Sequence, residues 1–316
     1  MKDMFNLFKK MDGIQLARMY FQAHVFFFAI IITAFLGFQR KSLEISRLAI
    51  NNKRLHKIRK ENKNNISQFL AQNSNSPTRN SSNKVWILWL QGIDSAPVVV
   101  RRCYESMKKN LRDREIVLLT EANYREYVTF PDYIQKKIDN GVITRTHFSD
   151  LLRLELLEHY GGTWIDATVY CSGNNYPDYL FDSDLFVYQC LKPGLDGECY
   201  SISSWFMTAC TNHPIICLTK HLLYEYWKKR NSMIDYFLIH DFFEIALETY
   251  PEEWKKVIPF CNSVPHMLLL RLFDTYDSTM WQAIKGQTCF HKLSYKFDSS
   301  DAEKSNTFYS EILVKD

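Results

Sequence analysis

Hydrophobic and polar positions change their period several times along this chain, and each change predicts an element. Residues 85–90 form an unbroken apolar run that Gln91-Gly92 halts, the pattern of a strand buried on both faces. A helical period runs from Pro97 to about Lys109, and a second apolar run, 115–120, predicts another buried strand. Residues 132–140 predict a helix, with Pro131 before its first turn and Gly141 just past its end. From about His147 to Tyr160 the period is again helical, with Phe148, Leu151 and Leu152 on the buried side. Gly161-Gly162 ends that helix. Residues 163–170 then predict a strand carrying one carboxylate, Asp166, among apolar neighbours.

Strands alternating with helices at these lengths predict an α/β fold over residues 84–316, with a Rossmann-type, mostly parallel sheet flanked by helices. Ligands bind such sheets at the carboxyl ends of the strands. Gln91-Gly92 falls at that end of the first strand, with Trp86 or Trp89 as a stacking surface for a base. A spacing of three places these tryptophans on opposite faces, so at least one belongs to the core.

The N-terminal pattern differs. Residues 25–38 are apolar apart from Thr33, a run of 14 where a bilayer span needs about 20. Residues 1–60 hold 12 Lys/Arg against Asp3, Asp12 and Glu44, a balance of +9, whereas the remainder of the chain carries −5. Three readings of this helical arm stay open: an anchor lying on an anionic membrane surface, a single span, or a soluble helix packed on the body. The first two leave the body in the cytoplasm, at the inner face of the cell membrane, because the positive flank stays inside. No cleavage site for a signal peptide follows the apolar run. Residues 61–83 are rich in Asn and Ser and read as a linker. The mildly acidic body excludes a nucleic-acid partner. Eight cysteines without metal-ligand spacing read as reduced, structural thiols.

Packing leaves some polar residues unexplained. Ser149, Asp150 and Arg153 lie three and four apart, so they project together from the first turns of their helix. A cap at Ser149 or Asp150 with a local ion pair accounts for them equally well. Asp166 stands where a buried strand normally carries Val or Ile, so it needs a partner, a cation or a ligand's donors.

These residues resemble a known family. Ser149-Asp150-x-x-Arg153 followed by Gly161-Gly162-x-Trp164-x-Asp166-Ala167-Thr168 is similar to the Ser-Asp-x-x-Arg … Gly-Gly-x-x-x-Asp-x-Asp signature of nucleotide-sugar glycosyltransferases with the GT-A fold, in particular those of bacterial capsular polysaccharide synthesis. Trp86-x-x-Trp89-x-x-Gly92, Ile202-Ser203-x-Trp205-Phe206, Ile234-Asp235-Tyr236-Phe237 and His291-Lys292-Leu293 extend the resemblance over residues 84–295. It implies transfer of a sugar from a nucleotide-sugar donor to a lipid-linked oligosaccharide, with capsule-assembly proteins as further partners. Retention of anomeric configuration is suggested by the related families alone. Asp150, Arg153 and Asp235 would be catalytic. Trp86, Gln91, Gly92, Ser149, Asp150, Arg153, Asp166, Thr168 and Lys292 would bind the donor. Asp166 and His291 would hold Mn²⁺ or Mg²⁺. One departure from the pattern is Thr168, where the motif has its second aspartate, and a hydroxyl is the poorer ligand for a hard cation. A transferase of sugar phosphate, or an inactive relative that binds nucleotide sugar or acts as a scaffold, are the alternatives. Asp241 beside His240 is a further candidate for the acceptor side, and Asp196 and Glu198, in a turn with Gly194 and Gly197, for a closing loop.

Overall fold

The computed structural model describes residues 13–73, 78–190 and 200–315. Four helices open it: α1 (Gly13–Gln22), α2 (Phe26–Leu36), α3 (Arg40–Glu61) and α4 (Lys63–Gln72). The body continues with β1 (Lys84–Leu88), α5 (Val98–Asn110), β2 (Glu115–Leu119), α6 (Asp132–Asp139), α7 (Arg145–Tyr160), β3 (Gly162–Ile165) and β4 (Val169–Cys171). Then follow α8 (Tyr179–Asp182), β5 (Leu185–Gln189), β6 (Ile202–Ala209), α9 (Pro214–Lys229), α10 (Leu238–Thr249) and, near the C-terminal end, β7 (Phe290–Lys292).

Five strands form one sheet in the order β2-β1-β3-β6-β5. β1 pairs in parallel with β2 and β3, and β6 runs antiparallel to both β3 and β5. The sheet is therefore mixed, with β6 reversed. Its side chains alternate between two cores, as the pleat requires. Trp86, Trp164 and Met207 enter one core with the leucines of α7 and the apolar faces of α9 and α10. Val85, Ile87, Ile165 and Phe206 enter the other, with α5 and the C-terminal Phe308, Ile312 and Leu313.

Three expectations change. The strand foreseen over 163–170 divides at Asp166: β3 ends at Ile165, and β4 pairs with β7 in a separate two-stranded ribbon. The break follows from the pairing. The Asp166 amide bonds the Trp205 carbonyl at 2.9 Å, and the chain then turns so that the Val169 amide bonds the Asp166 carbonyl at 3.0 Å. At the other end of β3, Gly162 takes φ +91°, and a Cβ there would collide with the Lys84 carbonyl, so only glycine fits.

The stretch read as a linker contains α4, whose Phe69 is buried against the ring of His221 at 4.9 Å. Its Ile66 and Phe69 make a short stripe that α9 covers, a local pattern that the Asn/Ser composition conceals. In the arm, α3 buries Ile50, Leu55 and Ile58 against the body, while α2 leaves Phe27 73% and Phe35 84% exposed. A turn at 23–25, where His24 takes φ 54°, precedes the apolar run, and α2 has 11 residues. Among the described residues no helix is long and apolar enough to cross a membrane.

Candidate functional site

Helix α7 begins earlier than its polar cluster suggests. Thr144 caps it, accepting from the His147 amide at 3.3 Å, so neither Ser149 nor Asp150 is the cap. Both sit in its second turn beside the sheet, where a charged side chain must find partners. Arg153 finds several. Its guanidinium donates to the Ser204 carbonyl of β6 and to the Ser149 hydroxyl at 3.3 Å, and it lies 3.3 Å from Asp150 and 3.6 Å from Asp166. It also stacks over the Trp164 ring, 4.9 Å from its centroid.

Asp166 occupies the carboxyl edge of the sheet, where β3 ends. The Trp164 indole donates to Oδ1 at 3.0 Å, and Lys292 Nζ donates to Oδ2 at 2.9 Å and to the Thr168 hydroxyl at 2.6 Å. The ribbon supplies that lysine, because β4 pairs Val169 with Lys292. Burial alone would raise the Asp166 carboxyl. Lys292 and Arg153, with the hydrogen bonds from Lys292 and Trp164, outweigh it and hold the group below the usual carboxylate range. The carboxylate is thus ionised and flanked by two cations.

Behind Asp150 lies a contact that the sequence reading missed. Trp227 of α9 donates to His147 Nε2 at 2.9 Å, so that nitrogen is an acceptor and the hydrogen-bond network assigns the proton to Nδ1. His147 Nδ1 then donates to Asp150 Oδ2 at 3.3 Å. The i, i+3 spacing of His147 and Asp150 was the available signal.

The remaining candidates lie elsewhere. Trp86 is fully enclosed and donates to the Gly161 carbonyl at 2.9 Å, so it belongs to the core and offers no stacking face. Gln91 and Gly92 lie on the loop beyond β1, at the same edge of the sheet as Asp166, with Gln91 exposed. Trp89 is half-buried and meets Tyr295 edge-on at 5.4 Å. His291 does not join Asp166. Neighbours in a strand point oppositely, and with Lys292 turned to the site His291 faces Ser172, at 2.8 Å, and the Trp281 ring. Burial pushes its pKa down to about 3, so it is neutral. Asp235 belongs to a buried cluster joined to Asp150 and Arg153 through the charges His240 feels: Arg54 and the Tyr200 hydroxyl both donate to its Oδ2, the latter at 2.6 Å. Arg54 also lies 3.4 Å from Asp241, which is fully buried. Its neighbour His240 is buried as well, and burial pushes its pKa down to about 4. Gly194, Asp196, Gly197 and Glu198 lie outside the described residues.

The oxygens at Asp166 do not fit a divalent ion. One carboxylate and one hydroxyl are the donors, and Lys292 already binds both. A divalent ion brought there would meet the like charges of Arg153 and Lys292, which already pair with the carboxylate it would need. Among the described residues no three His, Cys, Asp or Glu gather where one ion would touch them all.

A cleft of about 430 Å³ opens beyond β1 and β2, between Leu90, Glu121, Tyr124 and Arg125 on one side and Thr144 and Arg145 at the start of α7 on the other. It lies at the end of the sheet where α/β proteins bind ligands. Periodicity marks none of these as site residues, since their signal is the junction of two loops with a helix start.

The architecture is thus that of an α/β protein with a charged site at the carboxyl edge of a mixed sheet. A family model described as capsular polysaccharide synthesis protein matches residues 37–312, and the chain belongs to that family. No curated protein matches the sequence. Among solved structures the chain is similar to one titled "PaToxG Glycosyltransferase", at 15% identity and a TM-score of 0.36, over 82% of this chain and 96% of that one.

Proposed function

We propose that the protein is a glycosyltransferase of the GT-A type, moving a sugar from a nucleotide-sugar donor to a lipid-linked oligosaccharide in surface-polysaccharide synthesis. The observation that carries this reading is the convergence of Arg153 and Lys292 on Asp166 in a member of the capsular polysaccharide synthesis family. In such a transfer the bond from the anomeric carbon to the diphosphate breaks, and an acceptor hydroxyl bonds to that carbon and loses its proton. Negative charge then grows on the departing diphosphate. Preorganised cations there stabilise the transition state more than the ground state. Arg153 and Lys292 supply that charge, while Asp150 and Asp166 offer acceptors to sugar hydroxyls. The cleft beside Tyr124 has the size and rim for the donor's nucleoside.

The arm supports the choice of acceptor. Its exposed apolar side chains, with Arg40 and Lys41 beside them, suit the surface of an anionic membrane at the inner face of the cell membrane. The test is incubation of purified protein with a panel of nucleotide sugars and a lipid-linked acceptor, separating products by mass. Release of nucleoside diphosphate with a glycosylated lipid is expected. Asp166→Asn and Asp150→Asn are expected to lower kcat by about 100-fold or more. Nucleoside monophosphate as the product would instead assign transfer of sugar phosphate.

A further inference from the structure

The chemistry of this site asks for positive charge on a diphosphate, and the residues around Asp166 suit a metal poorly. Lys292 Nζ sits on Asp166 Oδ2 and the Thr168 hydroxyl, the positions from which a metal would be held, and the Arg153 guanidinium lies 3.6 Å from the other carboxylate oxygen, Oδ1. Both are fixed. Arg153 is tied to α7 through Ser149 and to β6 through Ser204, and β7 delivers Lys292 through its pairing with β4. His291, the remaining candidate ligand, faces the other side of the ribbon. We infer that this protein binds the donor's diphosphate without a divalent ion, with Lys292 and Arg153 doing the work a metal does in a site with two aspartates. The inference rests on the reading of the donor as a nucleotide sugar.

Thr168 then becomes intelligible. A second carboxylate at position 168 would pair with Lys292 and withdraw it from the phosphates, whereas a hydroxyl holds the ammonium in place and leaves its charge available. Binding of UDP, GDP, ADP and CDP in turn to the full chain, by titration calorimetry in EDTA and again in Mn²⁺, tests this directly. One nucleotide is expected to bind with the same affinity in both conditions. Lys292→Met is expected to weaken it by about 10- to 100-fold, the loss of one charge-assisted hydrogen bond. The double variant Thr168→Asp/Lys292→Ser, verified as folded by circular dichroism, is expected to bind only when Mn²⁺ is present. Binding by the natural chain that vanishes in EDTA would overturn the inference alone. Failure of every nucleotide in both conditions would overturn it together with the donor reading.

Discussion

Asp150 is held by two different donors, and the difference bears on how the site keeps its shape. Arg153 brings charge, whereas His147 brings a directed N–H whose orientation Trp227 sets from the neighbouring helix. Replacing His147 by Leu leaves Asp150 with Arg153 alone, and the carboxylate is then free to rotate toward the guanidinium. Turnover is expected to drop about tenfold, consistent with losing one hydrogen bond to a charged group, with donor KM nearly unchanged. Steady-state kinetics beside a melting curve measures both. A variant with unchanged kcat would reduce His147 to a packing residue. At this scale the sequence was informative about the charged pieces: Ser149, Asp150, Arg153, Asp166 and Lys292 do meet. His147 and Trp164 stand in the sequence without a role at the site, because an imidazole and an indole among leucines look like core until their hydrogen bonds are seen.

At the scale of elements, helix α3 is bound to α10 by more than apolar packing. Arg54 is 2% exposed and stands against Asp235 and Asp241, with the Tyr200 hydroxyl donating to Asp235 and lying 3.1 Å from Asp241. Burial pushes the Asp241 carboxyl well up, against the pull of Arg54. Removing the guanidinium leaves two carboxyl groups facing each other in the interior. Arg54→Met is expected to cost about 3–5 kcal/mol in urea unfolding, and Asp241→Asn in the same chain to restore part of it. The outcome that would refute this is additivity of the two substitutions.

Helix and strand positions were legible from periodicity: α5, α6 and α7 begin and end within two residues of their expected bounds. What the pattern did not show was β3 ending at Asp166, since the apolar alternation continues through Val169 and only the pairing with β7 separates the halves. The partner of a strand is a long-range fact, and period alone is silent on it. The same limit hid Arg54, one basic residue among many until Asp235 and Asp241 are beside it.

Two properties belong to the molecule as a whole. His213, His240 and His291 are buried and neutral, with burial pushing them down to about 3, 4 and 3. Each ionises near 6.5 when unfolded. As the pH falls below about 6.5 the unfolded chain takes up protons that the folded chain resists. Their contribution to stability is complete above that value and disappears between it and about 3. Full uptake by three groups steepens the loss to about 4 kcal/mol per pH unit. Thermal unfolding from pH 8 to pH 5 is expected to show a melting temperature that declines below 6.5. The decline should be shallower in a His213→Gln/His291→Gln chain. The second property is the arm. Phe27, Ile31 and Phe35 lie 68–84% exposed on α2, next to a basic helix. In a flotation assay the full chain is expected to rise with vesicles of phosphatidylglycerol and phosphatidylcholine, and a Phe27→Ser/Ile31→Ser/Phe35→Ser chain to stay at the bottom.

The long reach of Arg54 also sets an order of events during synthesis. Its partner Asp235 lies 181 residues further along, and at roughly 5–20 residues per second the ribosome needs on the order of 10 to 40 seconds to make that stretch. Throughout that interval the arm has emerged while the helix that receives its guanidinium does not yet exist. Closure of the Arg54 cluster waits for α10, and β7 with the C-terminal residues that complete the second core follow later still.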